Sequence, residues 1–192
     1  MPFNRKNIRL APCNYLGHRI YFVTICSYNR KPCFADTSLG HVVLGHLISL
    51  SKRHSFLLHA FCLMPDHLHF LAEGGSPQSH LLRFITAFKQ RTAFAHKNRA
   101  VGPLWQTKFY DHILRAGDEL ESFACYIWAN PVRKGLCEDV ASYPLSGSQT
   151  LDWKKLCGNP NLWQPPWKEP LPGSPRKERG ESPQTGAKLG AT

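Results

Sequence analysis

No stretch of this sequence approaches the ~20 consecutive apolar residues that a membrane-spanning helix needs. The opening MPFNRKNIRLAPCN also lacks the apolar core of a signal peptide. No membrane partner is expected, and a cytoplasmic setting is. Cysteine pairing is missing as well: the seven cysteines are an odd set without a C-x-x-C pair, and most sit inside apolar runs. Such thiols suit the interior of a protein in a reducing compartment better than a disulfide framework. Acidic residues are scarce, with 13 Asp and Glu against 24 Lys and Arg, a net charge of +11. The scarcity is regional. Residues 1–34 and 83–108 each carry six Lys/Arg and no acid, whereas residues 109–150 hold six acids. The balance favours a polyanionic partner such as nucleic acid, and the two acid-free tracts are expected to wall a phosphate-binding channel.

What is present is an ordinary globular composition, 42% hydrophobic and 11% aromatic over 192 residues. That length supports one well-buried domain and a tail. The β-branched and aromatic run at 19–28 (RIYFVTICSY) reads as a strand closed by Asn29-Arg30-Lys31-Pro32. Asp36 or Thr37 caps a helix running to about Lys52, with Leu39, Val43, Leu47 and Leu50 at helical spacing. A strand at 55–64, the turn Pro65-Asp66 and a strand at 67–73 make a hairpin. Residues 78–98 form an amphipathic helix with a basic outer face that includes Arg83, Lys89 and Arg91. Gly102-Pro103 ends it, and 104–114 (LWQTKFYDHIL) is expected as a fourth strand. Asp118 and Glu121 have capping-box spacing for a last helix that should stop near Pro131. The order βαββαβ plus a C-terminal helix is the α+β, ferredoxin-like split-βαβ pattern on an antiparallel sheet. The domain is read as 1–148. Residues 149–192, where seven of the fifteen prolines cluster, are read as a Pro-rich flexible tail.

Two patterns carry chemistry. His67 and His69 alternate with Leu68 on a strand, so both imidazoles share a face and can chelate a divalent ion. An H-x-H also occurs by chance in a chain with ten histidines, and a purely structural pair remains open on spacing alone. Tyr126 and Asn130 stand four residues apart on the last helix, so hydroxyl and amide project from one face. A helical tyrosine is more often core, yet an amide oxygen is the hard neutral donor that Mg²⁺ or Mn²⁺ takes beside histidines.

The segments YFVTICSYNRKPCF, LMPDHLHFL, LWQTKFYDHIL and YIWANPVRKGL, in this order and spacing, resemble the single-tyrosine HUH transposases, the REP-associated tyrosine transposase branch above all. The resemblance spans roughly residues 5–148, with His67-Leu68-His69 matching the His-hydrophobic-His motif. It implies Tyr126 as nucleophile, His67, His69 and Asn130 as ligands of a Mg or Mn ion, and cleavage and rejoining of single-stranded hairpin DNA through a 5′-phosphotyrosine. Arg5, Lys6 and Arg9 on the N-terminal arm, with Arg83, Lys89 and Arg91, are the expected DNA contacts, Lys89 being assigned to the phosphate or leaving group. Dimers occur in the wider group, so monomer and homodimer both stay open. The competing readings are a replication or transfer relaxase, which the short chain disfavours, a domesticated palindrome-binding protein without transposition activity, and a structural zinc site built from the two histidines and a cysteine.

Overall fold

The computed structural model describes residues 12–97 and 102–156. Its strands are β1 (Ile20–Cys26), β2 (Phe56–Met64), β3 (His67–Gly74), β4 (Tyr110–Ile113) and β5 (Ser146–Gly147). Its helices are α1 (Thr37–Arg53), α2 (Leu81–Lys97), α3 (Leu120–Arg133) and α4 (Trp153–Leu156). The sheet order is β4-β1-β3-β2-β5 and every pairing is antiparallel. This is the expected split-βαβ architecture. β1 and β2 run parallel with β3 inserted between them, and each of α1 and α2 carries the chain across one face.

Alternation along the strands sorts side chains into two cores. Tyr21, Val23, Ile25, Leu68 and Phe70 pack under α1 and α2 with Phe84 and Phe88. Phe22, Ala60, Cys62, Met64 and Leu71 pack under α3 with Phe123, Tyr126 and Trp128. The cross-strand pairs Cys26↔His67, Thr24↔His69 and Cys62↔His69 place His67 and His69 on the α3 face and Leu68 on the other. α3 is fixed there by Trp128, fully buried, whose indole N–H donates to the Gly147 carbonyl at 3.0 Å. Truncating Trp128 to Ala removes the largest buried side chain on that helix and is expected to cost about 3–5 kcal/mol, read as a lower urea midpoint at unchanged slope.

Local chemistry decides one open expectation and revises three. Asp36, not Thr37, caps α1, its carboxylate accepting from Ser38 N at 2.9 Å. The fourth strand is four residues long, because residues 104–109 are held in another way. Trp105 makes only an isolated bridge to Ser27 and is drawn inward, its Nε1 donating to Thr92 Oγ1 at 2.7 Å. The expected capping box is not formed: the Asp118 carboxylate accepts from Arg115 N at 2.8 Å, closing the preceding turn, and Glu119 holds the N-cap position of α3 without a side-chain cap bond. The helix also runs through Pro131 to Arg133. Proline at 131 removes the N–H that would bond the Ile127 carbonyl, and the Asn130 side-chain amide supplies a donor instead, to Tyr126 O at 2.7 Å and Ile127 O at 3.3 Å.

Residues 149–156, assigned above to the tail, are attached to the domain. Gln149 exchanges backbone and side-chain bonds with Leu58. Thr150 Oγ1 lies 2.8 Å from Nδ1 of the buried His59, and Leu151 and Leu156 pack on the α3 core. The expected tail from 157 onward lies outside the described residues. None of the six described cysteines forms a disulfide. Among the described residues no helix is long and apolar enough to cross a membrane.

Candidate functional site

The hairpin β2–β3 turns at Pro65-Asp66, so His67 enters the sheet at its end and His69 two residues further in. Each ring is held through Nδ1. His67 Nδ1 bonds the Asp66 carboxylate at 2.5 Å, and His69 Nδ1 bonds Thr24 Oγ1 at 2.8 Å from the adjacent strand. The two Nε2 atoms then meet at 3.0 Å, with the rings nearly perpendicular. A carboxylate can only accept, so the His67 proton sits on Nδ1. Burial, the largest influence, drives the His67 pKa below its ordinary value, with Asp66 opposing and the charges of Arg30 and Lys134 assisting. The ring is therefore neutral near pH 7 and its Nε2 presents a lone pair.

Two ring nitrogens bound at ~2.1 Å to one ion and subtending a right angle are about 3 Å apart, and this pair has that spacing. The donor set fits a divalent cation. Asn130 can add a neutral oxygen, since both bonds from its amide within α3 use Nδ2 and leave Oδ1 as the acceptor. Among the described residues no group of three or more His, Cys, Asp or Glu side chains could hold a metal ion. That removes the expected alternative of a zinc site completed by a described cysteine.

Tyr126, 6% exposed, lies on α3 on the same side of the sheet as this pair. Its ring centroid is 6.1 Å from that of His69 and 6.0 Å from that of Phe22, which itself stacks on His69 at 5.6 Å. The Arg133 guanidinium sits 5.3 Å from the Tyr126 ring centroid, two turns along the same helix face. His67, His69, Tyr126 and Asn130 are thus supplied by one hairpin and one helix on a single face of the sheet.

The expected DNA contacts divide differently. Arg5, Lys6 and Arg9 lie outside the described residues. Arg83 and Arg91 are exposed on α2, in the helical layer across the sheet from the histidine pair. The two basic tracts do not wall one channel around the histidines as far as the described residues go. Arg91 instead lines a groove between α1 and α2 with Arg53, His54 and Phe94, an aromatic that is 72% exposed. Lys89 reaches round the end of the sheet, its Nζ donating to the carbonyls of Gln106 and Thr107 at 2.8 and 3.1 Å and lying 5.4 Å from the Phe109 ring centroid. Its ammonium organises the 104–109 segment. Lys89→Met is expected to lose about 1–2 kcal/mol in thermal or urea unfolding, discounted for partial exposure.

Several residues at the site were not singled out by sequence. Thr24 and Asp66 orient the histidines, while Arg30 and Lys134 bring positive charge near His67 and Arg133 brings it to Tyr126. Arg30 bonds Asp66 at 3.2 Å. Burial acts on the Asp66 carboxyl by raising its pKa, yet His67 and Arg30 outweigh it and hold the group below the usual carboxylate value. The one signal in the sequence was Thr24, the polar position inside the apolar run YFVTIC.

Comparison with known proteins identifies the family. The chain is 30% identical over 152 residues to the REP-associated tyrosine transposase of Escherichia coli (strain K12), covering 72% of this chain and 87% of that protein. It is 26% identical over 165 residues to an uncharacterized protein of Haemophilus influenzae, covering 67% and 89%. The fold superposes on the structure of a REP-associated tyrosine transposase bound to a REP hairpin with a TM-score of 0.62 at 19% identity, over 73% of this chain and 81% of that one. The family model described as transposase IS200-like matches residues 16–129, and the chain belongs to that family.

Proposed function

We propose that the protein cleaves and rejoins single-stranded DNA at the foot of a hairpin, with Tyr126 as the nucleophile and a divalent cation held by His67, His69 and Asn130. The observation that carries the proposal is the buried Tyr126 ring 6.1 Å from that of His69, one of two imidazoles whose Nε2 atoms converge to 3.0 Å. The Tyr126 oxygen attacks the scissile phosphorus in line. The new O–P bond forms as the P–O3′ bond breaks, the phenol proton passes to solvent, and the departing 3′ oxygen takes up a proton. A 5′-phosphotyrosine and a free 3′-hydroxyl result. Because the ester retains the energy of the broken bond, attack by a 3′-hydroxyl reverses the step and no nucleotide cofactor is required.

His67 and His69 through Nε2 and Asn130 through Oδ1 would hold Mg²⁺ or Mn²⁺, and the ion supplies positive charge against the non-bridging phosphate oxygens. Arg133, over the tyrosine ring, and Lys134 and Arg30, felt electrostatically by His67, add fixed positive charge where the phosphate would lie. A REP hairpin is the DNA bound by the structural relative, and hairpin DNA is the substrate class proposed for this chain.

The test is incubation of the purified protein with labelled hairpin oligonucleotides from the flanks of its own gene, with Mg²⁺ or Mn²⁺. A protein–DNA adduct that survives denaturation is expected. Hairpin binding with no adduct under either metal would instead indicate a palindrome-binding protein that has lost strand transfer.

A further inference from the structure

Helices α1 and α2 contain no Asp or Glu between them, yet they carry Lys52, Arg53, Arg83, Lys89, Arg91 and Lys97. Ala87, Arg91 and Phe94 recur at the spacing of one helical face, and with Leu50, Arg53 and His54 at the end of α1 they enclose a groove of about 480 Å³. That volume lies inside the range of roughly 300–1,000 Å³ typical of ligand sites. We propose that this groove docks an acidic peptide segment of a partner protein, with one large apolar side chain of the segment in the groove and its flanking carboxylates on Arg53 and Arg91.

Charge and lining together select the occupant. The Arg53 and Arg91 side chains are exposed, and neither meets a carboxylate among the described residues, so an incoming carboxylate is the counter-ion that their fork geometry fits. His54 adds little charge, because burial first and Arg53 second hold its pKa below the ordinary value. Between the two guanidiniums the lining is Leu50, Ala87 and Phe94. Phe94, 72% exposed, is the most exposed large hydrophobic side chain among the described residues. An apolar side chain laid against it removes both surfaces from water. Arginine and aromatic anchors are also the residue types that dominate binding energy between proteins. A second depression of about 420 Å³, lined by Arg83 and Thr86, shares Ala87 and Gln90 with the first. The rise of α2 from Arg83 to Phe94 is roughly 16 Å, the length of about five extended residues.

Other polyanions and a second copy fit less well. The groove lies in the helical layer across the sheet from His67, His69 and Tyr126, so a strand held at the tyrosine would have to pass round the sheet to reach it. A second copy docking through the same layer would set two acid-free surfaces face to face, and like charges in apposition are unfavourable. A protein partner seated on α1 and α2 leaves the α3 face clear, so both faces can be occupied at once. The surface is therefore suited to tethering the protein to another component while the histidine and tyrosine face stays open.

The experiment measures fluorescence anisotropy of four labelled peptides against the full-length protein, each peptide having a pair of aspartates on either side of Trp, Phe, Leu or Ala. The Trp and Phe peptides should bind, and the Ala peptide should be weaker by about 10-fold or more. Arg53→Gln, Arg91→Gln and Phe94→Ser, all at exposed positions, should each weaken the Trp peptide by about 10-fold or more. Their affinity for labelled hairpin DNA should stay within about twofold of wild type. Saturating hairpin DNA should leave peptide affinity unchanged. Equal affinity for the Trp and Ala peptides would reduce the contact to plain charge attraction and overturn the groove, as would failure of wild type to bind any of the four. Loss of hairpin affinity in Arg91→Gln with peptide binding unchanged would give the face to DNA, and a wild-type dimer that Phe94→Ser dissociates in sedimentation would give it to a second copy; either overturns the proposal. The covalent adduct should form equally in all three variants, so failure of the docking surface leaves the strand-cleavage reading standing.

Discussion

Tyr126→Phe is expected to abolish the covalent DNA adduct and reduce strand cleavage by at least about 10⁴-fold, with hairpin affinity within about twofold of wild type. Phenylalanine keeps the ring that fills the space between Phe22 and His69, so the α3 core is preserved and only the oxygen is lost. The measurement is denaturing gel analysis of end-labelled hairpin beside anisotropy of the same oligonucleotide. A second phenol makes the control informative. Tyr110 is 49% exposed, shares the sheet face with Thr24, and its ring is 6.2 Å from that of Phe22. By exposure alone it is the more accessible nucleophile. Its pKa is raised, chiefly by burial of the hydroxyl and further by Asp111 and Tyr126, so its reactive phenolate is disfavoured. Tyr110→Phe should leave adduct formation intact. If instead Tyr110→Phe loses the adduct and Tyr126→Phe keeps it, the nucleophile assignment moves to β4.

The fold was legible because its signals are local and redundant. The alternation in YFVTIC and HLHFLAEG, the helical spacing of Leu39, Val43, Leu47 and Leu50, and the acidic cap at Asp36 each survive in the structure with bounds shifted by no more than two residues. Alternation is also what put His67 and His69 on one face, so half the site could be read from a period of two. What failed was decided by contacts between distant segments. Residues 104–109 have strand-forming composition, but Trp105 is claimed by Thr92 and the carbonyls of 106 and 107 by Lys89. Asp118 had cap spacing, but its carboxylate was taken by the Arg115 amide across a turn with Gly117 at φ 101°. Pro131 reads as a stop only while the Asn130 side chain is ignored. Thr24 lies 45 residues from His69 and Arg30 lies 36 from Asp66, so no spacing rule could pair them. The basic character of α2 was correctly read and its location relative to the site was not, because charge counts along a sequence do not say which layer a helix joins.

Removing one histidine should affect the cation more than removing its partner, and the difference tests how the site is organised. Mn²⁺ binding, followed by the electron paramagnetic resonance of the free ion, is expected to weaken by more than about 100-fold in His69→Ala and by about 10–100-fold in Thr24→Val, with Thr24→Ser close to wild type. The ordering follows from the hydroxyl. Without a cation the two Nε2 atoms at 3.0 Å must share a proton, since two opposed lone pairs would repel. His67 holds its proton on Nδ1 against Asp66, so His69 Nε2–H donates, and Thr24 must then donate to His69 Nδ1. When a cation takes both Nε2 atoms, His69 carries its proton on Nδ1 and Thr24 accepts. Only a hydroxyl serves in both states, which is why serine should rescue and valine, of nearly the same shape, should not. Asp66 has one role in both states, so Asp66→Asn, whose amide oxygen can still accept, should cost less than Asp66→Ala. Equal Mn²⁺ affinity in wild type and a folded His69→Ala would remove the pair as the cation site. A full loss in Thr24→Ser as well as Thr24→Val would mean that packing of β1 against β3, and not the reversible hydrogen bond, sets the geometry.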